Sequence, residues 1–119
     1  MKTSELQLGD WVSCLGDPVR VVSLIFKGEK PIGIMSPLKN IYMYRMEDIY
    51  PIRLDKSMLM QNNFNPEIVS WWRPEGEDFF KITITNGDTS LSTKVKYAHE
   101  LQNALRFCGL FKLANNLKI

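Results

Sequence analysis

The chain is poor in the residues on which most enzyme chemistry depends. Among its 119 residues there is one histidine, His99, and there are two cysteines, Cys14 and Cys108. One imidazole cannot complete a zinc site with two thiols that are far apart and lack CxxC spacing. No GxSxG, HExxH, P-loop or GxGxxG motif occurs, so no familiar device for a nucleophile, a catalytic metal or a phosphate is present. The longest apolar runs, such as VVSLIF, fall far below the ~18 residues of a membrane helix. The start, MKTSELQLGD, lacks the apolar centre of a signal peptide. Neither sign of charge dominates: 15 Lys and Arg stand against 13 Asp and Glu. A net charge of +2 is too small to mark a nucleic-acid binder. These absences predict a cytoplasmic protein without membrane attachment, metal or cofactor, its two thiols buried in a reducing compartment.

What is present is an ordinary globular composition, 45% hydrophobic and 24% charged. It suits one compact domain or two small units. The halves differ little in charge. Residues 1–52 carry six basic and six acidic residues, and residues 53–119 carry nine and seven. Late in the chain Lys94, Lys96, Arg106, Lys112 and Lys118 face one acid, Glu100. That excess reads as a solvated helix face or a local basic surface.

Short β-rich runs fill the first half. A strand is expected through Trp11, Val12 and Cys14, a turn at Gly16-Asp17-Pro18, and a strand over 19–26. A turn at KGEKP, strands at 32–35 and 41–45, and a bend around Ile49, Pro51 and Leu54 follow. Several short strands punctuated by Gly and Pro predict a small twisted barrel. Asp55 is placed to cap a short helix that points Met58, Leu59 and Phe64 inward.

The second half is patterned more sharply. Asn86-Gly87 predicts a type I′ hairpin in which Thr85 faces Asp88 and Ile82 faces Leu91. Phe80, Ile82, Ile84, Leu91 and Val95 then share one face, and Phe79, Lys81, Thr83, Ser92 and Lys94 the other. A loop at Pro74-Glu75-Gly76-Glu77 sets Trp71 opposite Phe80 and Trp72 opposite Phe79. The adjacent tryptophans therefore point to opposite sides. Beyond this meander, Tyr97, Leu101, Ala104, Leu105 and Cys108 follow helical spacing, and Gly109 is a natural stop. The tail LFKLANNLKI suits a helical turn or a short strand.

No catalytic constellation emerges from these elements. Neighbours on a helix, such as His99 and Glu100, do not face each other. His99 and Cys108 would lie ~13 Å apart along a helix axis. The acids Glu75, Glu77 and Asp78 read as turn chemistry, with a hydrolytic or metal-binding pair the lesser alternative. The non-core face of the meander carries most binding content. Trp72 and Phe79 sit there with Lys81, Thr83, Ser92 and Lys94, in the manner of sheets that stack bases and hold phosphates. The competing reading packs this face against the N-terminal half. Trp11, Tyr42 and Tyr44 give a weaker hint of a groove on the barrel, of the kind found in Src-homology or Tudor-type folds. His99, at the mouth of the last helix, reads as a structural residue, its neutral ring accepting from first-turn N–H groups or from Gln102 and Asn103.

Three segments, KTSELQLGDWV, IYPIRLDKSMLMQNNF and KYAHELQNALRFCG, together carry a resemblance. Ser4, Glu5, Leu6, Gly9 and Val12, then Pro51, Ile52 and Leu54, then His99, Leu101, Gln102 and Asn103 match an SELxxGxxV … PIxL … HxLQN pattern. The chain resembles a family of short proteins from gut Bacteroidetes and their phages or mobile elements. It departs where the pattern has Thr at Asp55 and Gly at Asn63, and both changes keep capping or turn chemistry. The resemblance implies a bacterial or phage cytoplasmic setting and no particular activity.

The sequence therefore predicts an α+β protein. A small SH3-like N-terminal β-barrel (1–52) precedes a short helix, a three-stranded antiparallel meander and a C-terminal helix packed on it (53–119). The expected role is a non-enzymatic interaction module for a protein partner or a second copy. A nucleic-acid accessory protein using the Trp72, Phe79, Lys81 and Lys94 face is the alternative.

Overall fold

In a computed structural model, residues 5–24, 32–35, 41–44 and 46–119 are described, with backbone only across 23–46. The fold is α+β, and the chain divides into two compact units, Met1–Ile52 and Arg53–Ile119.

The first unit is an antiparallel sheet of five strands. They are β1 (Trp11–Cys14), β2 (Asp17–Leu24), β3 (Ile32–Met35), β4 (Ile41–Tyr44) and β5 (Ile49–Pro51), in the order β4-β3-β2-β1-β5. A 3-10 turn, Met46–Asp48, leads into β5. Alternation along β1 sends Val12 and Cys14 inward, where they meet Leu6, Val19, Val21 and Ile49. One expectation here needs correction. The first turn is Leu15-Gly16, both with positive φ, and not Gly16-Asp17-Pro18. Asp17 and Pro18 belong to β2, opposite Cys14 and Ser13. Pro18 is tolerated because, among the described residues, pairing with β3 starts only at Arg20 and no ladder bond needs its missing N–H. Among the described residues β4 and β5 are the two edges of the sheet, and no pairing between them is seen. The KGEKP turn lies outside the described residues.

The second unit begins with α1 (Lys56–Gln61), capped by Asp55, whose Oδ1 accepts from Met58 N at 2.8 Å and Ser57 Oγ at 2.6 Å. A three-stranded antiparallel sheet follows: β6 (Val69–Trp72), β7 (Phe80–Asn86) and β8 (Thr89–Val95). Both hairpins differ from the expected register by two residues. Ile84 opposes Leu91 and Val69, and Ile82 opposes Thr93 and Trp71. A slip of two preserves the faces, because the side-chain period is two. The turn explains the slip: only Gly87 (φ 61) has positive φ, so Gly87-Asp88 form the loop with Gly first, the type II′ arrangement. Asn86 stays in the strand, and its Nδ2 donates to Cys108 O at 2.7 Å.

Val69, Phe80, Ile82, Ile84 and Val95 form the buried sheet face, and Trp71 packs edge-on to Phe80 at 5.9 Å. Helix α2 (Ala98–Phe107) contacts β8 and buries Ala98, Leu101, Ala104 and Leu105. Its end is a Schellman motif: Leu110 N donates to Leu105 O and Gly109 N to Arg106 O, with Gly109 at φ 80. The tail forms α3 (Phe111–Asn115), tied to α2 by Gln102 Nε2 donating to Ala114 O at 3.0 Å.

Candidate functional site

The polar face of the β6-β7-β8 sheet carries the candidate site. Registers align Trp72, Lys81 and Lys94 in one row across the three strands, and Ser70, Thr83 and Ser92 in the next. Phe79 lies just before β7 and not opposite Trp72 as the sequence suggested; that position is taken by Lys81. The six expected residues still converge, through cations instead of an aromatic pair. Lys81 Nζ sits 5.5 Å from the Trp72 ring centroid, and Lys94 Nζ sits 4.8 Å from that of Phe79. Thr83 Oγ1 and Ser92 Oγ share a hydrogen bond of 3.1 Å. Trp72 is 56% exposed and Phe79 is half-buried. Trp72, Lys81, Thr83, Ser92 and Lys94 line a shallow depression of about 430 Å³.

The electrostatics of this face are one-sided. Its strand positions Ser70, Trp72, Lys81, Thr83, Thr85, Ser90, Ser92 and Lys94 include no acid. Lys81 and Lys94 stand directly opposite each other, a repulsive arrangement in a sheet. Among the described residues neither lysine is in an ion pair. The face therefore offers a flat aromatic surface, two cations and several hydroxyls to whatever meets it.

The other sequence candidates are engaged elsewhere. Asp78 meets Lys96 Nζ at 2.9 Å and Arg53 Nη2 at 3.0 Å. The hydrogen bond from Lys96, helped by the charges of Lys96 and Arg53, holds its carboxyl below the usual carboxylate range. An acid kept ionised by two cations is an ion-pair hub, which suits neither the solvated turn expected of these acids nor the lesser alternative of a hydrolytic pair. Burial pushes both thiols up, Cys14 further through Asp48 and Asp17, which makes them poor nucleophiles. Trp11 is half-buried beneath the Arg20 guanidinium, 4.4 Å from its ring centroid; the side chains of Tyr42 and Tyr44 lie outside the described residues. No group of three or more His, Cys, Asp or Glu converges to hold a metal among the described residues.

His99 is 4% exposed and stacks at 6.0 Å on Tyr97, and its Nδ1 is buried without a hydrogen-bond partner. That ring nitrogen accepts from neither the first-turn amides nor Gln102. The helix start is held instead by Glu100, whose Oε1 accepts from Lys96 N at 2.8 Å and Tyr97 N at 3.0 Å. An acid three residues past a helix boundary, as Glu100 is, is the sequence signal for this motif.

No protein-family model, curated protein or solved structure matches this chain.

Proposed function

We propose that the chain is a non-enzymatic interaction module whose working surface is the open face of β6-β7-β8, and that its ligand is a protein partner. The carrying observation is the row Trp72, Lys81, Lys94: an exposed indole beside two cations on a face whose strand positions include no acid. Large exposed aromatics next to cations are the usual anchors of protein interfaces. The setting is the cytoplasm of a bacterium or its phage, in keeping with the SELxxGxxV … PIxL … HxLQN resemblance. Residues 1–52 are a small SH3-like barrel in this reading: β1 pairs with both β2 and β5, and a bulge between Val21 and Ser23 bends the sheet.

The test is photocrosslinking in cells from a benzoylphenylalanine at position 83, then affinity measurement with the purified captured protein. Trp72→Ala is expected to weaken binding by about thirtyfold, as loss of a hot-spot side chain does. Equal affinity for Trp72→Ala, Lys81→Glu and the parent chain removes the reading.

A second reading, single-stranded nucleic acid, is favoured by the same indole beside two lysines, since bases stack on aromatics while cations hold phosphates. Two phosphate contacts give a slope near −1.4 for log affinity against log salt. Absence of binding to a fifteen-nucleotide oligothymidine at low salt rejects it.

A further inference from the structure

We infer that the outer edge of β8 is a strand-addition site, and that its occupant is an extended partner segment alternating acidic and apolar residues. The inference rests on the open face being a protein-binding surface and specifies how the partner is held. The edge comes first. β8 runs seven residues, Thr89–Val95, in unbroken register with β7, and stands outermost in the order β6-β7-β8. It contains no proline, no bulge is recorded in its pairing, and among the described residues no strand pairs with its other side. Proteins normally blunt such an edge with proline, a bulge, charge or a covering element. Here one lysine, Lys94, is the only charged side chain on the strand.

The outward polar groups can be identified. Asn86 and Thr89 flank a two-residue turn and so form a hydrogen-bonded pair. By alternation Leu91, Thr93 and Val95 also bond to β7, and Ser90, Ser92 and Lys94 direct their N–H and C=O groups away from it. Lys96 falls on the same parity, and its carbonyl accepts from Leu54 N at 2.9 Å on that side. This bond, with the isolated Arg53–Tyr97 bridge, shows the edge already used just past β8. The stretch from Ser90 to Lys94 presents three donors and three acceptors in strand spacing.

Charge and shape select the occupant. A fourth strand would place alternate side chains beside Lys94 and Ser92, on the face where Lys81 and Lys94 have no acid. Carboxylates fit there. Its other side chains would fall beside half-buried Leu91 and Thr93, where apolar groups fit. A second copy pairing β8 to β8 would instead gather four lysines on one face without an acid.

The probe is an acetylated, amidated heptapeptide alternating valine and glutamate, titrated into the full chain and followed by amide NMR and hydrogen exchange. Saturable binding, slowed exchange at Ser90, Ser92 and Lys94, and about tenfold loss on Lys94→Glu are expected. Ser92→Pro, which deletes the central outward donor, should abolish the exchange protection and weaken binding as strongly. Three results overturn the inference. One is binding that Ser92→Pro leaves intact while Trp72→Ala abolishes it, which keeps the face as a binding surface and removes strand addition. Another is no binding at millimolar peptide, with the crosslinked partner still requiring Trp72. The last is protection of the same amides by raised protein concentration alone, which makes a second copy the occupant. Should Ser92→Pro fail to fold, the parent chain's exchange pattern decides: unprotected Ser92 with bound peptide overturns the inference.

Discussion

Replacing Glu100 with Ala tests which residue holds the junction between β8 and α2. Its Oε1 receives two backbone donors, Lys96 N and Tyr97 N, at 2.8 and 3.0 Å, in a half-buried setting. Each such bond is worth about 1 kcal/mol net. The acid also lies in the first turn of α2, where its charge gains about 0.5 kcal/mol from the helix dipole. Alanine returns about 0.4 kcal/mol through its better helix propensity. The expected loss is therefore about 2 kcal/mol, or roughly 10 °C in Tm at about 5 °C per kcal/mol. Glu100→Gln keeps an acceptor oxygen but not the charge, and should lose about half as much. The assay is urea and thermal unfolding followed by circular dichroism at 222 nm, with the slope in urea compared between variants. A loss below about 0.5 kcal/mol for Glu100→Ala refutes the assignment. So does a larger loss for Glu100→Gln than for Glu100→Ala.

Buried His99 gives a second contrast: His99→Leu keeps volume and removes an unpartnered nitrogen, so it should stay within about 1 kcal/mol of the parent, whereas His99→Ala opens space and should lose about 1–3 kcal/mol. Chemical denaturation measures both, and a loss above about 2 kcal/mol for His99→Leu shows the ring has a polar role. Asp55→Ala removes the α1 cap and should lower stability by about 1 kcal/mol in the same assay. Asp55, through its Ser57 and Met58 hydrogen bonds, and Asp78, through Lys96 and Arg53, titrate below their ordinary value. Both then contribute stability that is complete above the unfolded carboxylate pKa of about 3.9 and lost as pH falls through the lower folded values. Tm measured between pH 6 and pH 2 should fall in that acid window, and the Asp55→Asn, Asp78→Asn double variant should show a shallower fall; an equally steep one excludes these carboxylates. Gly87→Ala places a side chain at φ 61 in open space, so its expected loss of about 1 kcal/mol is backbone strain alone. An unchanged urea midpoint would rule out the Gly-first turn.

What the sequence made legible was periodicity. Alternation along β7 and β8 set Phe80, Ile82, Ile84, Leu91 and Val95 on one face and Lys81, Thr83, Ser92 and Lys94 on the other, and the 3.6-residue pattern with Gly109 marked α2 and its end. The register was not legible, because a slip of two leaves the pattern unchanged. It is decided by the positive φ that Gly87 alone adopts within this turn and by the bond from Asn86 to Cys108, 22 residues away in sequence. Pro18 misled for a related reason. Its local turn chemistry is real, yet β3 begins pairing late enough to leave it room in β2. At the candidate site, composition and parity were enough to gather the six residues. The Trp72–Lys81 and Lys94–Phe79 contacts required the true register, since the assumed one set the two aromatics opposite each other.

The pairing of Lys81 with Lys94 separates stability from recognition more sharply than any other feature. Like charges directly opposite in a sheet are repulsive by a few tenths of a kcal/mol, and exposed cation–π contacts recover about 0.5–1 kcal/mol each. Lys94→Glu exchanges that repulsion for an attraction to Lys81 of about 0.2–1 kcal/mol and gives up the contact with Phe79. The two changes nearly cancel, so unfolding in urea should place the variant within about 0.5 kcal/mol of the parent. Binding of an acidic segment should nevertheless fall about tenfold, because the cation beside the β8 edge has become an anion. A loss of stability above about 1 kcal/mol makes the lysine row structural and withdraws its claim as a recognition surface. Preserved folding with lost binding requires instead that the uncompensated charge of this face be answered by the ligand.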